Sequence, residues 1–266
     1  MPEPEPVVLV EVRDRVATVT MNRPESRNAL NRALTQGLWD AVSAAGEDDD
    51  VDVVILTGAD PAFCAGVDLK ELSGEASASP DPGARPARGR DTNGLYRFLP
   101  VIPKPVIGAI NGVAVTGGLE VALQCTILVA SERARFADTH ARVGIMPGGG
   151  VTVLLAQSLG VRRATEMSLT GNFLSAEEAH ALGLVNHVVP HAELLPFARS
   201  LAADIVSNDQ RGVRRLLAHY RQIANAATLD EAHLIEGFMA ETWTMPADLV
   251  ARRQAVTERG RTQTGP

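Results

Sequence analysis

Cysteine is scarce: only Cys64 and Cys125 occur in 266 residues. Both lie in apolar company without metal-ligand spacing, so they read as reduced thiols of a cytoplasmic protein. Excess positive charge is also missing. Lys and Arg number 25 against 32 Asp and Glu, a net charge of −7. A nucleic-acid partner needs a basic face and is not expected, although a local cluster would suffice for a small anionic ligand. No apolar run approaches the roughly 20 residues of a membrane span. The opening Met1-Pro2-Glu3-Pro4-Glu5-Pro6 is acidic and proline-rich, unlike a signal peptide, and is expected to be a frayed tail. The common catalytic signatures fail as well: there is no Gly-x-Gly-x-x-Gly after a strand, no Walker A, no Gly-x-Ser-x-Gly and no His-Glu-x-x-His. The six histidines are scattered, so no metal is expected.

What is present is an alternation of short apolar runs and helical patterns. Val7 to Val12 and Val16 to Met21 flank Arg13-Asp14-Arg15 and read as a hairpin. Asn28 offers a cap for a helix through Asn31 to Ala45, with Leu30, Leu34, Leu38 and Val42 on one face. Val51 to Thr57, Pro105 to Ile110 and Thr126 to Ala130 read as strands covered on both faces. Strand, turn and helix in repetition indicate an α/β fold. Ser73 to Arg90 is rich in Ser, Ala, Pro, Gly and Arg and reads as a mobile loop, followed by a helix from Asp91 to Phe98. Beyond Pro190 the chain looks helical, with stretches around Leu194 to Ile205, Ala226 to Met239 and Asp248 to Glu258. This divides it into a core over 1–190 and a helical region over 191–266, suited to packing on a partner subunit.

Two glycine-containing junctions stand where buried strands end. One is Phe63-Cys64-Ala65-Gly66-Val67-Asp68-Leu69-Lys70. The other runs from Ile107 through Asn111-Gly112 to Thr116-Gly117-Gly118-Leu119-Glu120. Small residues at a strand end let backbone N–H groups approach a ligand closely. A tight turn without function explains either junction equally well when it is taken alone.

Together, and in order with other segments, they resemble the enoyl-CoA hydratase/isomerase (crotonase) family. Met21-Asn22-Arg23-Pro24 and Arg27-Asn28-Ala29-Leu30 look like its opening signature. Ala65-Gly66-Val67-Asp68, Lys104 to Ala109, Gly117-Gly118-Leu119-Glu120 and Gly144-Ile145-Met146-Pro147-Gly148-Gly149-Gly150 continue it. Leu169-Thr170-Gly171, Gly183-Leu184-Val185 and Val188-Val189-Pro190 close it. The resemblance implies a core of repeated ββα units, a homotrimer or dimer of trimers, and an acyl-CoA substrate with no separate cofactor. It implies that the backbone N–H groups of Val67 and Gly117 form an oxyanion hole. It also places Arg27, Ala29, Ala65, Gly66, Asp68, Leu69 and Gly118 along the CoA and substrate path. Arg85, Arg88, Arg90 and Arg97 are candidates for phosphates, although a solvated loop accounts for them as well. Phe238, Trp243 and Met245 in the helical tail are candidates for closing a neighbour's site.

A hydratase of this family uses two glutamates on one water. Glu120 matches the first. Counting back from Gly144 puts His140 at the second, with Asp138 a reserve carboxylate. Imidazole both donates and accepts protons, so acid–base chemistry by Glu120 and His140 is expected to survive. The resemblance therefore implies hydration of a trans-2-enoyl-CoA. Single-base isomerisation and simple acyl-CoA binding are the other readings.

Overall fold

The computed structural model describes residues 5–73, 89–90 and 94–264. The first elements are β1 (Val8–Arg13), β2 (Val16–Met21), α1 (Arg32–Glu47), β3 (Val53–Gly58), β4 (Ala62–Cys64) and α2 (Leu69–Leu72). A short pair, β5 (Gly89–Arg90) and β6 (Tyr96–Arg97), precedes β7 (Val106–Ile110), β8 (Val113–Val115) and α3 (Gly117–Leu123). Then come β9 (Ile127–Ser131), β10 (Arg135–Ala137), α4 (His140–Val143), α5 (Val151–Leu159) and α6 (Val161–Thr170). The remainder is β11 (Leu174–Ser175), α7 (Ala176–Ala181), β12 (His187–Val189), α8 (Leu194–Val206), α9 (Gln210–Ile223), α10 (Leu229–Glu241) and α11 (Leu249–Thr264). Two compact units result, Met1–Arg214 and Arg215–Pro266. The α/β unit thus reaches beyond residue 190 and takes in α8.

A six-stranded sheet has the order β1-β2-β3-β7-β9-β12, and a four-stranded one the order β11-β10-β8-β4. The repeat is visible in how they are connected. In β3-β4-α2, β7-β8-α3 and β9-β10-α4, the first strand joins the large sheet, the second joins the small one, and a helix follows. The expected ββα repetition is therefore present. In the small sheet β8 runs parallel to both β4 and β10, so three strands end at one edge.

Alternation along the central strands separates two cores. Val54 and Leu56 of β3 join Ala17, Val19 and Met21 of β2 against Leu34, Leu38 and Val42 of α1. Val53 and Ile55 face the other way, with Ile107, Ala109 and Val129, beneath Leu194, Ala198 and Ala202 of α8. This is why β3 and β7 read as continuous apolar runs. In the second unit, Thr228 caps α10 through the Glu231 N–H, and Arg215 donates to the Met239 carbonyl at 3.2 Å.

Two expectations need correction. Asn31, not Asn28, caps α1: its Oδ1 accepts from the Leu34 N–H at 2.8 Å. Asn28 is fully buried at φ 54°, a left-handed conformation that Asn tolerates. Its Nδ2 donates to the carbonyls of Ala59 and Ala62, and its Oδ1 accepts from the Arg23 N–H. The expected helix from Asp91 to Phe98 is also replaced, over its described part, by strand β6 paired with β5. Residues 91–93 and most of the expected loop, 74–88, lie outside the described residues, with Arg85 and Arg88 among them.

Asn28→Ala would take this partner from the Ala59 carbonyl and the Arg23 N–H, and would leave the Ala62 carbonyl with only the longer bond from Asn111 at 3.3 Å. It should lower stability by about 2–4 kcal/mol, read as a drop in the urea midpoint at unchanged slope.

Candidate active site

Each ββα unit contributes the turn between its second strand and its helix. The first contributes Val67, where the chain pairs in parallel with Leu30. The Leu30 N–H donates to the Gly66 carbonyl at 2.7 Å, and the Asp68 N–H to the Leu30 carbonyl at 3.0 Å. In such a parallel bridge the intervening Val67 N–H points away from Leu30. Arg23 braces the segment from outside, holding Asp68 Oδ2 at 3.1 Å. Asp68 Oδ1 also accepts from the Lys70 N–H at the start of α2.

The second turn brings Gly117 up to the first. Thr116 adopts φ 54° and ψ −112°, a conformation costly for a β-branched residue. It is held by its N–H to the Ala137 carbonyl at 2.9 Å and by its hydroxyl to that of Thr139 at 2.5 Å. Gly117 then begins α3, so its N–H has no partner within the helix. A Cβ added at Gly117 would lie 3.4 Å from the Val67 nitrogen. One added at Gly118 would stand 2.1 Å from the Cys64 carbonyl oxygen, which excludes any side chain there. The two N–H groups are thereby neighbours at one edge of the small sheet.

Glu120 follows in the first turn of α3 and is completely buried. Its Oε1 accepts from the Gly149 N–H at 2.6 Å and more loosely from the Val151 N–H at 3.4 Å. Its Oε2 is buried without a hydrogen-bond partner. A carboxylate oxygen left in that state inside a protein is costly unless something joins it. His140 Nε2 lies 4.0 Å from it. That is too far for a direct hydrogen bond, and close enough for one water at about 2.8 Å from each to bridge them. On the other side of the ring, His140 Nδ1 is 2.6 Å from Asp138 Oδ1, which also accepts the His140 backbone N–H at 3.2 Å. Burial pushes the Asp138 carboxyl up, but hydrogen bonds from His140 and Ser168 outweigh it and hold the group below the usual carboxylate range.

The structure brings together Val67, Gly117, Gly118, Glu120 and His140, all expected at the site. Of the other expected residues, Gly66 and Asp68 flank Val67 in its bridge to Leu30, Arg23 ties Asp68 to the Ala29 carbonyl, and Leu69 begins α2. The Ala65 N–H donates to the Arg27 carbonyl, and the Arg27 side chain is exposed. Two contributors carried no assigned role in the sequence reading. Gly149 supplies the N–H that fixes Glu120. Gln124, one turn beyond Glu120, donates to the Gly149 carbonyl at 2.8 Å and accepts from the N–H groups of Phe98 and Leu99. A polar side chain directly after the apolar Val121-Ala122-Leu123 was the available signal. A groove of about 330 Å³ opens beside Gly149, lined by Leu95, Tyr96, Arg97, Val153 and Leu154. Burial pushes the Cys64 and Cys125 thiols up to about 12, away from the thiolate form that a nucleophile needs. Among the described residues no group of three metal-ligating side chains is found.

Comparison with known proteins gives a consistent picture. The family model described as enoyl-CoA hydratase/isomerase matches residues 11–263. A probable peroxisomal enoyl-CoA hydratase 1 from Arabidopsis thaliana is 43% identical over 202 residues, 76% of this chain and 73% of that protein. The 2,3-dehydroadipyl-CoA hydratase of Escherichia coli K12 is 34% identical over 238 residues, 88% and 91% of the two chains. The crystal structure of an enoyl-CoA hydratase from Mycobacterium tuberculosis H37Rv superposes with a TM-score of 0.72 at 50% identity, covering 88% of this chain and 99% of that one.

Gly149→Ala would put a methyl group 2.9 Å from the Glu120 carboxyl carbon and 2.6 Å from the Phe98 ring. The carboxylate must then move. Turnover should fall by about 100-fold or more, while circular dichroism stays native.

Proposed function

We propose that this chain, which belongs to the enoyl-CoA hydratase/isomerase family, adds water across the double bond of a trans-2-enoyl-CoA. One observation carries the reading: a buried carboxylate with one oxygen anchored and the other unpartnered, 4.0 Å from an imidazole nitrogen. Two acid–base groups on one small volume suit hydration, in which a proton leaves water and another reaches carbon. Isomerisation needs only one base, and simple binding needs none.

In the proposed reaction the thioester oxygen accepts hydrogen bonds from the Val67 and Gly117 N–H groups. Charge that develops on that oxygen as the enolate forms is stabilised there, typically by about 3–4 kcal/mol per well-aimed donor. Glu120 Oε2 takes a proton from the water whose oxygen bonds to Cβ. His140, entering as imidazolium, gives its Nε2 proton to Cα. Glu120 is left protonated and His140 neutral, and transfer of that proton from one to the other restores the starting state. One water is consumed and no electron changes hands, so no separate cofactor is needed.

The chain from Arg27 to Leu30 and from Ala65 to Leu69 is the proposed path of the CoA portion, and the exposed Arg27 supports it with positive charge. The groove beside Gly149, with Leu95, Val153 and Leu154, is suited to the acyl part. A homotrimer or dimer of trimers is the proposed assembly. Its support is the apolar surface that the second unit leaves exposed at Leu229, Leu234, Phe238 and Val250. A cytoplasmic setting is proposed on the two unpaired cysteines. Among the described residues no helix is long and apolar enough to cross a membrane.

The test is crotonyl-CoA as substrate, followed by loss of the conjugated thioester absorbance. The native chain should turn over, and Glu120→Gln should lose about 1,000-fold or more in kcat with CoA binding retained. An unchanged rate in Glu120→Gln would refute the assignment.

A further inference from the structure

We propose that Asp138 is a positioning residue: it holds the His140 ring with Nδ1 protonated and Nε2 turned on Glu120, making the acid–base pair a three-member unit. The inference deepens the hydratase reading and rests on it for its kinetic consequences.

The geometry separates this role from that of a simple turn cap. An aspartate two residues ahead of a helix start commonly accepts a backbone N–H, and Asp138 does so at 3.2 Å. The shorter bond, at 2.6 Å, goes instead to the ring of the same residue. Both bonds end on one oxygen, Oδ1, so backbone and imidazole are tied to the same point. Asp138 is 1% exposed and His140 4% exposed, so water does not compete freely for either. Asp138 is held in its ionised form by the bonds from His140 and Ser168. An ionised carboxylate can only accept, so the proton between the two groups belongs to Nδ1.

The consequence falls on Nε2. With Nδ1 committed, the neutral ring presents a lone pair on the Glu120 side, and the charged ring presents an N–H there. Both are states a proton shuttle must visit, and neither requires the ring to rotate. The carboxylate also offsets the imidazolium charge inside a buried site, where an unpaired charge is strongly disfavoured. Asp138 does not itself reach the reacting atoms in this account; it acts through His140.

A double-mutant cycle on kcat tests the coupling. Asp138→Asn should lower kcat with crotonyl-CoA by about 100-fold or more, with KM within about threefold. In a His140→Gln background the same change should alter kcat by less than about threefold, because no imidazole is left to orient. An equal loss in both backgrounds would make Asp138 a structural residue and overturn the proposal. Nitrogen-15 spectra of the histidine-labelled full chain provide a second measurement that needs no turnover. Native His140 should be protonated at Nδ1 in both its charged and its neutral form, and in Asp138→Asn the neutral form should shift its proton toward Nε2. A native ring bare at Nδ1, or an unchanged Asp138→Asn spectrum, contradicts the inference. Failure of the native chain to hydrate crotonyl-CoA would instead remove the hydratase reading and leave the tautomer result to stand or fall by itself.

Discussion

Everything at the site depends on how closely the start of α3 presses on the end of β4. Gly118 lies against the Cys64 carbonyl with no room for a methyl group, and Gly117 lies beside the Val67 nitrogen. That contact is between backbones, so only glycine permits it. It brings two chain segments distant in sequence together at Val67 and Gly117, whose N–H groups are the proposed donors. The strain at Thr116 is the accompanying cost, borne by its bonds to Ala137 and Thr139 on the neighbouring strand end. Because β4, β8 and β10 run parallel, the same edge that joins the donors also carries Glu120 and His140.

The second physical theme is the handling of buried charge. Glu120 is enclosed completely, and only one of its oxygens is satisfied by protein. A stable core would not keep such an atom without compensation. The fold anchors Oε1 through Gly149, and Gln124 in turn fixes Gly149, so the free oxygen is aimed rather than loose. His140 receives matching treatment from Asp138. The site contains two anchored groups whose free ends stand 4.0 Å apart, within reach of one bridging water.

Much of this was legible in the residues, for identifiable reasons. The almost wholly apolar run Val51 to Thr57 is what a strand covered on both faces requires, and a glycine-containing junction follows it. His140 could be placed by counting back from Gly144, because no gap intervenes. The small sheet was not legible: β4, β8 and β10 have three residues each, too few for a period of two to stand out. Asn28 and Asn31 are chemically equal as caps, and only burial separates the one that links Arg23 to the β3–β4 connection from the one that starts α1. The partner of Asp138 depends on a side-chain rotamer, and the choice among Gly148, Gly149 and Gly150 depends on which backbone nitrogen reaches Glu120. Neither is a property of local sequence.

The central claim is that the Val67 and Gly117 N–H groups polarise a thioester carbonyl. Vibrational spectroscopy of an enoyl-CoA carrying carbon-13 at the thioester carbonyl, bound to Glu120→Gln so that it is not consumed, reads that polarisation directly. A carbonyl stretch shifted well below its value in water is the predicted result, because two aimed donors weaken the C=O bond more than mobile water does. A stretch at or above the aqueous value would contradict the account.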